Sequence, residues 1–262
     1  CAGCGLFAPA GIRVVLLTAA AKAAEKRSVK VRLYEALMRS FILSCATDRV
    51  ACGVSAGERL YGRRAFGKKG ITILNGVDTR SFAYDADRRD AFRSQLGLRD
   101  RFVIGHAGHL AAVKNQAFLI DLMPEILVRR PDAFLLLLGE GEDRHMLERK
   151  ISEMGLGAYV RLTGNVRNVA DHLNAMDVFA FPSLYEGMPL SVIEVQSNGL
   201  PCVISDSVPK DVFLTGLIHP LPLADRAEWV DAICRAGRRE PEKYASEMRR
   251  SGFDVSAAMR KI

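Results

Sequence analysis

The stretch Asp177-Val-Phe-Ala-Phe-Pro-Ser-Leu-Tyr-Glu-Gly-Met-Pro-Leu-Ser-Val-Ile-Glu194 reads as a strand, a turn and the start of a helix in direct succession. The apolar residues between Asp177 and Pro182 suit a short buried strand. Gly187 supplies the turn, and Pro189 reads as a first-turn helix residue, where its missing N–H costs nothing. The free N–H groups and positive dipole end of such a helix suit an anion, with a diphosphate the obvious candidate. Glu194 then lies about 7 Å farther along the helix axis, its side chain leaning back toward the N-terminus. One carboxylate, Glu186, precedes the anion site and the other flanks it. That arrangement fits the two hydroxyl-rich ends of a nucleotide sugar, the sugar at Glu186 and the ribose at Glu194. Spacing alone favours the plainer reading of two solvated helix-end glutamates.

Outward from this stretch the same alternation recurs. Strands are expected at Phe102 to Ala107, Ala133 to Leu138, Tyr159 to Leu162, Asp177 to Phe181 and Pro201 to Ser205. Helices are expected near Gln116 to Arg130, Arg144 to Met154, Val169 to Met176, Leu190 to Ser197 and Glu228 to Gly237. Strand and helix in turn imply parallel βαβ units and a doubly wound sheet, whose ligands bind beyond the carboxyl ends of the strands. Gly108, Gly139, Gly164 and Glu186 all fall there. Before Asn75 the pattern gives a strand from Gly11 to Leu17, a helix from about Val29 to Ser44, a strand from Arg49 to Val54, a short helix capped near Ser55 and a strand from Ile71 to Leu74. Val255 to Lys261 reads as a terminal helix.

With 262 residues, 49% of them hydrophobic, the chain can bury a sizeable core and makes one large or two small domains. No apolar run approaches the ~20 residues of a membrane span. The six cysteines, at positions 1, 4, 45, 52, 202 and 234, make no metal pattern, and a reducing cytoplasm is the default compartment. The charge is uneven: residues 1 to 100 carry a net +9 and residues 101 to 262 a net −2. Lys26, Arg27, Lys30, Arg32 and Arg39 decorate a helix whose other face offers Val29, Leu33, Leu37 and Phe41. The pattern suits peripheral contact with an anionic membrane, and suits better an ordinary amphipathic helix on its own sheet. Aromatic residues are not interleaved with the basic ones, which speaks against nucleic acid. Asp85-Ala-Asp87 imitates a metal-binding pair but reads as solvated linker, and His172 as structural.

The central stretch resembles the Glu-x7-Glu signature of retaining glycosyltransferases of the GT-B fold, family 4. Ile73-Leu-Asn-Gly-Val-Asp78, Gly105-His-Ala-Gly-His-Leu-Ala-Ala-Val-Lys-Asn115, Leu138-Gly-Glu-Gly141, Leu162-Thr-Gly-Asn165 and Gly199-Leu-Pro-Cys-Val-Ile-Ser-Asp206 are similar to family motifs at family-like spacings. The likeness runs from about Val50 to about Trp229 and is nearest to capsular and exopolysaccharide-type enzymes. It implies a GT-B-like α/β fold: residues 1–75 as a partial, N-terminally incomplete acceptor-side domain, 76–245 as a doubly wound, Rossmann-like nucleotide-sugar-binding domain, and 246–262 as a helix crossing back to the first. It implies a hexosyltransferase moving sugar with retention from a nucleoside-diphosphate sugar, UDP-linked, to a glycan or lipid-linked acceptor at the inner face of the membrane, with no metal cofactor.

The resemblance further implies catalytic roles for Glu186 and Lys114, the latter on phosphate. Substrate binding is implied for Gly108, His109, Gly187, Met188, Pro189, Leu190, Ser191 and Glu194, with Asn165 and Val166 lining the base pocket. Two positions depart from the family pattern. Most relatives carry arginine where His109 stands, and a neutral histidine forfeits a charge-assisted bond of about 1.5 to 3 kcal/mol. Thr18-Ala-Ala-Ala21 replaces a histidine-containing segment. Two rival readings stay open: a nucleotide-sugar epimerase of the same fold, and a non-catalytic sugar-nucleotide binder.

Overall fold

The computed structural model describes residues 6–7, 14–17, 29–45, 48–51, 54–72, 76–238 and 240–255. Cys1 to Cys4, Gly11 to Arg13, Thr18 to Ala21, Ile73 to Asn75 and all of the expected terminal helix except Val255 lie outside them. The chain forms two compact units, one from the described residues up to Gly76 together with Val255, the other Val77–Asp254.

The first unit runs β1 (Leu6–Phe7), β2 (Val14–Leu17), α1 (Val29–Cys45), β3 (Asp48–Ala51), α2 (Val54–Tyr61), α3 (Arg63–Lys69) and β4 (Gly70–Thr72). Its sheet has the order β1-β2-β3-β4, parallel from β2 to β4, with β1 antiparallel at the edge. The strand expected to reach Val54 stops at Ala51, and Val54 opens α2. Ala51, Tyr61 and Phe66 form the buried centre, with Ile42, Leu43 and Leu60 against it. The helix face expected on the sheet is therefore misplaced. Ile42 and Leu43 pack inward, while Leu37 and Phe41 are 64% and 63% exposed.

The second unit runs α4 (Ala86–Leu96), β5 (Phe102–Ala107), α5 (Gln116–Arg129), β6 (Ala133–Leu138), α6 (Arg144–Glu153), β7 (Val160–Leu162), α7 (Val169–Ala175), β8 (Val178–Phe181), α8 (Leu190–Ser197), β9 (Cys202–Ser205), β10 (Ile218–Leu221), α9 (Arg226–Arg235) and α10 (Pro241–Arg250). All six strands are parallel, in the order β10-β9-β8-β5-β6-β7. Every residue of β5 and β6 is buried, as a parallel strand covered on both faces demands. Ile104, Leu119, Ile120, Leu135, Leu137 and Trp229 belong to one core between sheet and helices. The chain builds β5, β6 and β7 in one direction and then crosses to lay β8 on the other side of β5. The strand order thus reverses between β5 and β8.

Three elements of this unit carry no periodic signal in the sequence. Helix α4 buries guanidiniums instead of an apolar stripe: Arg93 donates to the Ala175 carbonyl (2.8 Å) and to Asp177 (3.1 Å), and Arg89 to the carbonyls of Asn174 (2.7 Å) and Met176 (2.8 Å). Asp85, read as solvated linker, is its N-cap and accepts from the Arg88 amide at 2.9 Å. Strand β10 contains Pro220, which an edge strand tolerates because one side of its backbone needs no partner. Helix α10 is half charged and buries only Ala245 and Met248.

Candidate active site

The reversal between β5 and β8 opens a crevice at the carboxyl ends of the strands, where doubly wound sheets bind ligands. Three turns meet there. The Gly108 amide donates to the Leu138 carbonyl (3.0 Å), the Leu110 amide to the Glu140 carbonyl (2.8 Å) and the Gly139 amide to the Gly164 carbonyl (3.0 Å). Only glycine fits at 139: its φ is 131°, and a Cβ there would stand 2.0 Å from the Gly108 carbonyl oxygen. The turns wall a cavity of about 270 Å³, lined among others by Gly108, His109, Glu140, Asn165 and Val166. Four residues singled out from sequence are thereby brought together.

Lys114 reaches the same crevice from a single 3-10 turn, Ala112–Lys114, ended by Asn115 in the left-handed region at φ 56°. Asparagine tolerates that conformation better than most residues. The Asn115 side chain donates to the Pro182 carbonyl (3.3 Å) and the Leu184 amide to the Val113 carbonyl (2.8 Å), which ties this turn to the segment after β8. The Lys114 stem lies beside Gly108, where a Cβ would be 3.6 Å from its Cδ and Cε. Its Nζ donates to Glu186 Oε1 at 2.6 Å and sits 5.1 Å from the centroid of the Phe181 ring. The two side chains are only 19% and 10% exposed. Read from sequence as phosphate and sugar ligands, they pair with each other.

Pro189 requires a correction. It is the N-cap of α8, at φ −74° and ψ 102°, and the first helical residue is Leu190. A ring-locked φ suits either position, but the extended ψ places Pro189 just outside the helix. The Pro189 carbonyl takes the Val192 amide at 3.1 Å, which leaves the amides of Leu190 and Ser191 at the open end. No acidic residue occupies the first turn to offset the positive dipole end. Gly187 lies in a bend without a positive φ, and Met188 and Ser191 are half-buried. Glu194 is also half-buried, flanked by the buried Ile193 and Val195, and burial raises the pKa of its carboxyl. Its carboxylate has no hydrogen-bond or ion-pair partner among the described residues.

His109 donates through Nε2 to Glu142 Oε2 at 2.7 Å, both side chains more than half exposed. The Glu142 carboxyl is held below its usual range by its own backbone amide and then by His109. His172 is structural, with Nδ1 at 3.0 Å from the Asn168 carbonyl and its ring edge-on to Phe92 at 4.7 Å. Two residues escaped the sequence reading. His106, fully buried, stacks on Phe179 (6.0 Å) and Phe181 (5.5 Å). Burial lowers its pKa to about 4, the nearby Lys114 cation adding to the effect. Gln116, also buried, bonds to it. A polar residue in the middle of an apolar strand was the only signal available for His106.

Residues 101–238 match the family described as glycosyl transferases group 1. The chain belongs to that family. The matched region holds the cavity, Lys114, Glu186 and Glu194. Over 233 residues the chain is 34% identical to EpsF of Bacillus subtilis (strain 168), which carries a glycosyltransferase assignment, covering 86% of this chain and 61% of EpsF. It is 32% identical over 204 residues to the UDP-Gal:alpha-D-GlcNAc-diphosphoundecaprenol alpha-1,3-galactosyltransferase of Escherichia coli, covering 75% of this chain and 52% of that enzyme. The chain thus spans between half and two thirds of the length of these relatives. Among solved structures, Anabaena HepE in complex with UDP superposes with a TM-score of 0.76 at 17% identity, over 94% of this chain and 70% of HepE. The fold is of the GT-B glycosyltransferase type, α/β with parallel, Rossmann-like sheets.

Proposed function

We propose that this group 1 glycosyltransferase belongs to family 4 and moves a hexosyl unit, with retention, from a UDP-sugar to a surface-polysaccharide acceptor. The observation that carries the reading is Glu194: a half-buried carboxylate with no side-chain partner among the described residues, on α8, the helix that follows directly on the Glu186 of the Lys114–Glu186 pair. An unpaired buried carboxylate is costly unless something donates to it. The two hydroxyls of a ribose supply such donors. The base occupies the cavity bounded by Asn165 and Val166, and the ribose lies between it and Glu194. The diphosphate lies against Lys114 and the amides of Leu190 and Ser191, with His109 contributing when protonated. Glu186 receives the sugar hydroxyls once phosphate draws Lys114 away.

These charges neutralise the leaving diphosphate without a divalent metal. The bond from the sugar's anomeric carbon to the phosphate oxygen breaks, and the bond to the acceptor oxygen forms on the same face. The acceptor's proton passes to the departing phosphate oxygen. Retention is supported by the Escherichia coli relative, an alpha-1,3-galactosyltransferase that takes its sugar from UDP-galactose, in which galactose is itself α-linked to the diphosphate. Its acceptor is a lipid-linked sugar diphosphate. That supports a membrane-borne acceptor here, met by the first unit at the inner face of the membrane.

Calorimetric titration with UDP, UDP-hexoses and GDP-mannose tests the donor site. The expected outcome is binding of UDP and a UDP-hexose, with Glu194→Ala weakening UDP by about 1 to 3 kcal/mol through lost hydroxyl bonds. Equal UDP affinity in wild type and Glu194→Ala ends the ribose assignment. Absence of any nucleotide binding overturns the reading as a whole.

A further inference from the structure

Beneath the wall of the cavity, a row of hydrogen bonds runs from β8 to the turn after β5 through two buried side chains. The His106 ring donates from Nδ1 to the Ala180 carbonyl at 2.9 Å, so in the neutral ring Nε2 is an acceptor. The Gln116 amide nitrogen faces that Nε2 at 3.3 Å and the His109 carbonyl oxygen at 2.9 Å. Two acceptors on one side decide which end of the amide points there: the NH₂ group, with one hydrogen for each. The stacked rings of Phe179 and Phe181 hold the imidazole in register. Gln116 itself is 2% exposed and opens α5, so its backbone is fixed by the helix that follows.

We propose that Gln116 is a positioning residue for the nucleotide site: by donating to both the His106 ring and the His109 carbonyl, it holds the Gly108–His109 turn in the shape that receives the diphosphate. The proposal rests on the reading of this crevice as the donor site. The turn's other bonds, from the amides of Gly108 and Leu110, run to Leu138 and Glu140 on the β6 side. Gln116 supplies the tie toward β8. Without it the His109 carbonyl loses its donor, and the turn can rotate about its β6 anchors. That moves Gly108, the Lys114 stem lying against it, and the His109 ring at the cavity rim. Displacements of about 1 Å in a ligand-positioning group are enough to cost one or two orders of magnitude in function.

The test is UDP affinity by calorimetry, together with the melting temperature, for Gln116→Met, which keeps the length and deletes both donors. We expect UDP to bind about tenfold or more weakly. Asn198→Ala is the control, because Asn198 bonds to the Phe82 carbonyl (2.8 Å) and Asn174 (3.0 Å) at the far end of α8. It should lower the melting temperature and leave UDP affinity within about twofold, separating positioning from general destabilisation. His106→Phe keeps the ring stack but removes the acceptor that orients the amide. It should weaken UDP about threefold, and combining it with Gln116→Met should add little, as for two members of one network. Folded Gln116→Met with wild-type UDP affinity overturns the proposal, as does unchanged affinity in His106→Phe should Gln116→Met not fold. A wild-type chain that binds no nucleoside diphosphate sinks the donor-site reading, and this proposal with it.

Discussion

Lys114 and Glu186 hold each other at 2.6 Å while Glu194, on the adjoining helix, has no partner among the described residues. The two carboxylates therefore meet a ligand from different starting points. Glu194 stands ready to accept hydroxyls, whereas Glu186 must exchange a cation for them. That exchange predicts an uneven response to Glu186→Gln. Loss of the charge leaves Lys114 without its carboxylate, and the protein should lose about 2 kcal/mol of stability. The freed ammonium then meets the diphosphate without competition, so the rise in melting temperature produced by saturating UDP should be larger in Glu186→Gln than in wild type. The extra stabilisation by a UDP-hexose over UDP should shrink, because the amide is a weaker acceptor for sugar hydroxyls. A smaller UDP-induced shift in the variant would refute the exchange. The pairing was not legible in the sequence, where Lys114 and Glu186 lie on separate motifs. Glu194, by contrast, was legible as a flanking carboxylate, and only its burial is new.

At the scale of elements, legibility followed the source of each element's burial. β5 and β6 bury every side chain and α8 has an apolar inner face, and all three were read from sequence with the bounds the structure shows. α4 is not legible, and Asp85 at its start reads as linker, because the helix docks through Arg89 and Arg93 and no hydrophobic period records that. α1 was read with nearly correct ends but with the wrong face inward. Its outer surface presents Tyr34, Leu37, Met38 and Phe41 at helical spacing, three of them more than 60% exposed. Arg63, Lys68 and Lys69 are exposed on α3 of the same unit. No helix among the described residues is long and apolar enough to cross a membrane. A surface stripe of this kind, in a unit that also exposes cations, suits the headgroup region of an anionic bilayer. Sedimentation with vesicles of anionic lipid should recover the wild-type chain and lose most of a Leu37→Glu/Phe41→Glu variant, with neutral vesicles recovering little of either. Equal recovery of wild type and variant would remove α1 from any membrane role.

For the whole molecule, the topology that places the site also sets how stability answers to pH. The order reversal between β5 and β8 puts a histidine inside the sheet and a carboxylate on the helix after β8, and burial shifts them in opposite senses. His106 has its pKa depressed to about 4 from 6.5. The unfolded chain therefore binds more protons than the native one below pH 6.5, and stability is lost as pH falls through that window toward 4, by roughly 3 kcal/mol from this group when the shift is complete. Glu194 has its pKa raised above 4.5. The native state holds its proton longer than the unfolded one, so the contribution of this group is full below 4.5 and is lost as pH rises through the raised value. Once ionised, this carboxylate, without a side-chain partner among the described residues, is thus a standing cost that the site keeps for its ligand. Glu194→Gln should melt above wild type where the carboxyl is ionised, and the difference should shrink as the pH falls through its raised pKa. The same substitution should weaken UDP, and saturating UDP should bring the wild type back level with or above the variant. Thermal melts of both proteins from pH 5 to 8, with and without UDP, check the sign directly. A variant that melts below wild type at pH 8 would mean that the Glu194 carboxylate is stabilising where it stands, and would leave no reason to reserve it for a ribose.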